Sequence, residues 1–305
     1  MNKPGSQART LCLGEALVDL ICERPVDQLP HADAFVPRFG GVVANVAVVA
    51  ARHGAEVSLA GGAGRDSWGR WLRARLERER VDTSWFELVA GAQTTLAMVA
   101  IDAAGEPSYQ IYGQPVATVV DSLSGRVEEA VGGTDALFLT SNTLAGAAER
   151  EVTMRAREVA LELDRPVIFD PNLRLHRWPS VAGAVAAANA CVPGALLVRA
   201  NAAESALMTG ERDPERAAAA LARAGARVAV VTLAAEGAVV RGEVQADAPG
   251  VPTRVISTVG AGDALTGVLL ARLAGARFEP GAVTEALPEA LAESARACEH
   301  WGALE

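Results

Sequence analysis

The run Ser257-Thr258-Val259-Gly260-Ala261-Gly262-Asp263-Ala264-Leu265 carries the densest chemical signal in the sequence. Gly260 and Gly262 let the backbone turn tightly and aim bare N–H groups outward. Leu265, Val268, Leu269 and Leu273 follow as one apolar helical stripe. Those amides would then stand at a helix N-terminus, where the helix dipole favours an anion. Asp263 is a carboxylate in the same turn, costly beside a bound anion unless it has a task. Taking a proton from a substrate hydroxyl is such a task. The alternative is that Asp263 simply sits well on the dipole, and spacing leaves both readings open. The chain has one lysine, Lys3, so a P-loop lysine or Schiff-base chemistry is excluded. Phosphate chemistry must rely on backbone N–H groups, arginine and metal.

Other residues carry weaker signals. Asn201 and Glu204 share a helix face at i, i+3. Their oxygens suit a hydrated Mg²⁺, and Asn-x-x-Glu is equally the form of a capping box. Asp19 follows an apolar strand, as a diol-binding carboxylate or a turn residue. Gly40-Gly41 would serve a hinge, a close substrate approach or a simple turn. Asn45 lies early in a helical run, where a buried Asn is most often a cap. Arg174 is a cation suited to a phosphate or a substrate acid, or an ordinary surface arginine.

The elements that must position these residues alternate. Thr10 to Leu17 reads as a first strand. Val43 to His53 is helical and stops at Gly54. Glu56–Ala60 is a strand, and Ser67 caps a helix in which Trp68, Trp71, Leu72 and Leu76 form a core stripe. Ala136–Leu139, Val167–Phe169, Leu196–Val198 and Val228–Thr232 are short apolar strands, each followed by a helical pattern. Thr253–Ile256 reads as a strand before the glycine turn. Continuous apolar strands alternating with helices predict a parallel α/β sheet covered on both faces. Leu17 to Phe39 and Thr94 to Tyr112 alternate without a helix between strands, the second around a Gly105-centred turn. They predict a small antiparallel piece, as a lid or an edge hairpin.

Composition limits the function classes. The chain has 305 residues, 50% hydrophobic and 21% charged, with net charge −9. Such a chain buries a full core without staples and is not disordered. An acidic chain without a basic cluster is a poor binder of nucleic acid. No apolar stretch reaches bilayer length, and MNKPGSQART lacks a signal-peptide core. Four cysteines, Cys12, Cys22, Cys191 and Cys298, form no CxxC pair, as in a reduced, cytoplasmic protein.

The ordered set of motifs resembles the ribokinase/PfkB carbohydrate kinases, nearest the fructokinase and 2-keto-3-deoxygluconate kinase types. GAGDAL is similar to the C-terminal signature, normally DTxGAGD. Gly14 to Leu20 is similar to the first strand with its substrate aspartate, Asp19. Gly40 to Asn45 matches GGxxxN, Gly61 to Trp85 the N-terminal signature, Asp170 to Arg174 with Trp178 the DPNxR…W segment, and Asn201 to Glu204 the NxxE element. The resemblance covers almost the whole chain and implies a ribokinase-like α/β/α sandwich over 1–305, with lid segments near 15–39 and 93–118.

It further implies ATP-dependent phosphorylation of a primary hydroxyl of a small sugar, a ketohexose such as fructose first. The alternatives are 2-keto-3-deoxygluconate, ribose or a nucleoside. Asp263, Gly260, Ala261, Gly262 and Arg174 would be catalytic. Asp19, Gly40, Gly41, Asn45, Tyr112 and Asp263 would bind sugar. Asn201, Glu204, Thr232, Gly237, Gly260 and Gly262 would bind the nucleotide, and Glu204 with Asn201 would organise Mg²⁺ through water. A homodimer through the lid is implied as well.

Three departures stand out. Ser257 replaces the usual Asp, which leaves monovalent cation (K⁺) activation open. Gly113, before Gln114, replaces a lid arginine. Ala234 replaces a glycine near the nucleotide, while Gly237 remains. Two rival readings stand beside this one. A dinucleotide-binding oxidoreductase fails because its glycine pattern breaks at Ser67 and Leu265. A non-catalytic sensor on the same fold must explain why Asp263, Asn201 and Glu204 are retained.

Overall fold

The computed structural model describes residues 8–113 and 123–304. Gln114 and the end of the second lid segment lie outside them. A nine-stranded sheet is built from β1 (Arg9–Leu13), β4 (Glu56–Gly64), β5 (Phe86–Val89), β8 (Ala136–Thr140), β9 (Val167–Asp170), β10 (Leu197–Asn201), β11 (Val228–Thr232), β12 (Ala238–Gly242) and β13 (Ala246–Ala248). Its order is β13-β12-β11-β10-β9-β8-β1-β4-β5. From β11 to β5 every pairing is parallel, and β12 and β13 add an antiparallel edge. The second sheet, in the order β3-β2-β6-β7, comprises β2 (Leu17–Ile21), β3 (Val36–Gly40), β6 (Leu96–Ile101) and β7 (Pro107–Tyr112).

Strand alternation divides the apolar side chains between the two faces of the large sheet. Cys12, Phe138, Ile168 and Val230 join one core with α1 (Val42–Arg52), α8 (Ala261–Gly275) and α9 (Gly281–Ala297). Leu11, Leu137, Phe169 and Val231 join the other. That face is covered by α4 (Ala147–Glu162), α5 (Val181–Asn189) and α7 (Pro214–Arg223), with α3 (Val127–Gly132) and α6 (Ala202–Thr209) beside them. Helix α8 is buried on nearly every side, not along a single stripe, as expected of a helix that is apolar all round. Gly267 permits this: a methyl group there would lie 2.6 Å from Cβ of Val49 on α1.

Several boundaries differ from expectation, each for a local reason. The first strand ends at Leu13, because Gly14 donates to Ala60 and the chain then crosses to the other sheet at Leu17. Asp66, not Ser67, caps α2 (Ser67–Arg78), accepting from the Gly69 amide at 2.8 Å. The same carboxylate accepts from the amide and hydroxyl of Thr94, so it also anchors the second lid segment. Trp68 and Trp71 are partly buried against the core and meet edge to face. Thr253–Ile256 forms no strand. The amides of Ile256 and Ser257 both donate to the Cys298 carbonyl, which ties this segment to the end of α9. The small sheet is mixed: β2/β3 and β6/β7 are antiparallel, but β2 and β6 run parallel. The turn at Gly105, where φ is +86°, is as expected. Among the described residues no helix is long and apolar enough to cross a membrane.

Candidate active site

A cavity of about 1010 Å³ opens between the carboxyl ends of the parallel strands and the small sheet. Such strand ends are where open α/β sheets take ligands. Glu15 after β1, Asn142 after β8, Asn172 after β9 and Asn201 at the end of β10 line one side. Asp19, Ala97 and Tyr109 of the small sheet line the other.

Helix α8 begins at Ala261, after Gly260 at φ +79° with no side-chain cap. The Gly262 and Asp263 amides of its first turn face the cavity, whereas Ala261, expected to share the anion site, does not line it and donates its N–H to the Thr258 carbonyl at 3.3 Å. The left-handed turn is also tight, since a methyl group on Gly260 would strike Ala303. Asp263 lies in that first turn and is 7% exposed. Its Oδ2 accepts from Nδ2 of Asn45 at 2.8 Å. Burial pushes its carboxyl up to about 6, against the Asn45 bond; Asp170 adds to the rise, while Arg174 and Arg199 oppose it. Asn45 is thus no helix cap: it sits one turn inside α1, and its buried Oδ1 has no partner among the described residues.

Asp19 projects from β2 into the same cavity. Burial and then the nearby Asp263 charge push its carboxyl up to about 8, with Arg174 opposing. Gly40 makes room for it, since a methyl group there would lie 2.2 Å from Oδ2. Gly41, at φ +98°, closes on the Glu15 backbone. The guanidinium of Arg174 lies 5.4 Å from the Tyr109 ring centroid, a cation–π distance. Tyr112, expected at the sugar, is half exposed at the end of β7 and does not line the cavity. Alternation puts it on the opposite face from Tyr109.

Asn201 and Glu204 form a capping box on α6: Glu204 N–H donates to Asn201 Oδ1 at 2.9 Å, and Asn201 N–H to Glu204 Oε2 at 3.0 Å. Glu204 Oε1 also accepts from Leu173 N–H at 2.8 Å. Burial, with Asp170 adding, raises the Glu204 carboxyl. Among the described residues no three His, Cys, Asp or Glu side chains cluster to hold a metal directly. Each Glu204 oxygen already accepts an N–H, so these hard oxygens fit an ion that keeps its own waters. Thr232 and Gly237 do not line the cavity. Thr232 instead accepts from Arg199 at 3.0 Å. Gly237, at φ +106°, allows a close approach to the Ala248 carbonyl.

Glu15, Asn142, Arg177 and Arg199 are among the lining residues that stand outside the expectations from sequence. Glu15 accepts from Val42 N–H and from Asn142 Nδ2, and Arg177 donates to the Asn142 carbonyl. Glu15 is the polar residue in GEAL between two apolar strands, a signal like that of Asp19. Arg199 interrupts the apolar run LLVRAN, and a charge inside a buried strand marks a special position. The hairpin tip also reaches the glycine turn, since Thr258 N–H donates to the Gly105 carbonyl at 2.8 Å.

An open helix N-terminus at the carboxyl edge of such a sheet, facing a small second sheet, places the protein among the ribokinase-like carbohydrate kinases, which are phosphotransferases. Residues 7–302 match the model of the pfkB family carbohydrate kinases, and the chain belongs to that family. It is 30% identical to fructokinase-1 of Oryza sativa subsp. japonica over 271 residues, 88% of this chain and 84% of that one. Among solved structures it is similar to a PfkB protein from Polaromonas sp., with TM-score 0.82 and 29% identity over 96% of both chains. It is also similar to the Vibrio cholerae fructokinase bound to fructose, ADP and calcium, with TM-score 0.82 and 28% identity over 98% of this chain and 95% of that one.

Proposed function

We propose that the protein transfers the γ-phosphoryl group of ATP to a primary hydroxyl of a ketohexose, fructose first. The observation that carries this is Asp263, a buried carboxylate held by Asn45 among open helix amides and sharing a cavity with Asp19. The fructokinase relatives support the sugar. In the reaction the hydroxyl oxygen bonds to the γ-phosphorus as its bond to the β-bridging oxygen breaks. The hydroxyl proton passes to Asp263, and ADP leaves. The amides of Gly262 and Asp263 stabilise the phosphoryl oxygens, while positioning supplies much of the rate. Asp19, Asn45 and the Gly40-Gly41 turn hold the sugar hydroxyls. Asn201 and Glu204 would hold Mg²⁺ through water, and the ion would supply charge neutralisation at the nucleotide. The reaction takes place in the cytoplasm.

A second substrate reading, 2-keto-3-deoxygluconate, has its own support: Arg174 and Arg177 both line the cavity and would suit a carboxylate. Initial rates of ADP release with fructose, 2-keto-3-deoxygluconate, ribose and adenosine test both. Fructose is expected to have the highest kcat/KM. A better keto acid would transfer the assignment to the second reading, and a better nucleoside would exclude both.

Two further outcomes are expected. Glu204→Gln leaves one backbone N–H without its acceptor, which lowers stability by about 1 kcal/mol. It also raises the Mg²⁺ concentration needed for half-maximal rate. If the Mg²⁺ titration stays unmoved while the melting temperature falls, Glu204 is only a cap. The small sheet is proposed to pair two molecules, since Tyr112 leaves apolar surface exposed on the face of β7 turned away from the cavity, and closed two-fold dimers are the commonest assembly. Light scattering at micromolar concentration should give twice the chain mass of 31.5 kDa; a monomer would exclude the pairing.

A further inference from the structure

Beneath the first turn of α8 lies a buried cation. Arg199, on β10, is 7% exposed. Its Nη1 donates to Oδ2 of Asp170 at 3.2 Å, and its Nη2 donates to the Thr232 hydroxyl at 3.0 Å. Asp170 is fully buried, and its Oδ2 also accepts from the Thr266 hydroxyl at 3.0 Å. Thr266 stands one helical turn beyond Gly262. A methyl group on Gly262 would lie 2.7 Å from Nη1 and 2.9 Å from Nη2 of Arg199. The guanidinium is therefore pressed against the backbone that carries the open amides. Its Nε is buried without a partner among the described residues, and the residue lines the cavity beside Asp263.

Stability is a poor reason for this arrangement. Burying an ion pair costs desolvation, and apolar replacements are often as stable. Electrostatics gives a better one. The chain's single lysine is Lys3, so among the described residues no ammonium group serves the phosphate end of the cavity. Arg174, a second cation near Asp263, lies over the Tyr109 ring of the small sheet. A fixed charge in a dry setting acts far more strongly than one in water, and one held in place needs no reorganisation during reaction.

We propose that Arg199, oriented by Asp170 and Thr232, is the fixed cation of the phosphoryl-transfer site, a positioning residue that acts from behind Gly262. It holds the Gly262 and Asp263 amides in register and adds positive field where charge gathers on the transferring group. Asp170 has a double part, since it also grips α8 through Thr266. The proposal rests on the phosphoryl-transfer reading of this cavity and names a residue that reading does not contain.

The test compares Arg199→Met and Arg199→Lys with wild type. The readouts are melting temperature, kcat and KM for sugar and ATP, and calorimetric affinity for Mg·ADP with sugar, with and without aluminium fluoride as a mimic of the transferring group. Arg199→Met should keep both KM values and the Mg·ADP affinity within a few-fold. Its kcat should fall by ~10–10²-fold, somewhat less than the loss of a direct oxyanion donor. The tightening by aluminium fluoride should disappear, and Arg199→Lys should recover part of both losses. If Arg199→Met does not fold, Arg199→Lys decides: lowered kcat with unchanged KM supports the proposal, and a lowered melting temperature with unchanged kcat overturns it. Fluoride tightening that persists in Arg199→Met also overturns it. A wild-type protein whose Mg·ADP complex is not tightened by fluoride would instead remove the phosphoryl-transfer reading on which it rests.

Discussion

Asp263→Asn is expected to fold normally and to lose turnover by ~10²–10⁴-fold, the usual worth of a positioned general base. The substitution is nearly isosteric, and an amide oxygen can still accept from Asn45, which now donates to the carboxylate at 2.8 Å. What disappears is the ability to take the hydroxyl proton. Nucleotide affinity should be kept or rise slightly, because a negative charge near phosphate is removed. The pH profile gives an independent check. Burial pushes Asp263 up to about 6. Below that value the carboxyl is protonated and cannot accept, so kcat/KM should climb as pH rises through about 6. Asp263→Asn should lack this limb. A variant within a few-fold of wild type would remove Asp263 from the base role.

Asp19→Ala is the second large effect. A site built on buried hydrogen bonds to a hydroxyl discriminates strongly against losing one, here on the order of 10² or more in kcat/KM for the sugar. Nucleotide affinity should not change. Burial and the Asp263 charge raise Asp19 to about 8, so near neutral pH it is mostly a carboxylic acid, able to donate to one sugar oxygen and accept from another. Alanine keeps neither bond, whereas asparagine, with its own N–H donor and C=O acceptor, would keep both. Because Asp19 is already neutral near pH 6, the Asp263 limb should stay in place. Deoxy analogues should separate contact from scaffolding: the analogue lacking the bound hydroxyl should lose much less on the variant than on wild type. Equal losses on both would mean that Asp19 touches no sugar hydroxyl.

Much of the fold was legible because its signals are local. Apolar runs such as Val228–Thr232 are buried on both faces of a parallel sheet, and that environment needs continuous hydrophobicity. The Gly105 turn and the Asn201–Glu204 capping box likewise carry their own chemistry. What failed to read is what depends on remote partners. Thr253–Ile256 has the composition of a strand, but the sheet edge is taken by β12 and β13, and the Cys298 carbonyl claims its amides. The parallel pairing of β2 with β6 joins segments far apart in the chain, which alternation cannot specify. Tyr109 and Tyr112 look interchangeable in sequence; only strand parity separates the cavity from solvent. Arg199 was legible as an oddity within an apolar strand, but its meaning depends on Asp170, Thr232 and Gly262, which three other segments deliver.

The central claim, phosphoryl transfer from ATP to a sugar hydroxyl with Asp263 as base, is tested most directly by phosphorus NMR of the protein with Mg·ATP and fructose. The account predicts a phosphomonoester resonance that grows in step with ADP, carries the coupling of a CH₂–O–P group, and is absent with Asp263→Asn. Tight ATP binding with no new phosphoester from fructose or from any other sugar in the panel would contradict it.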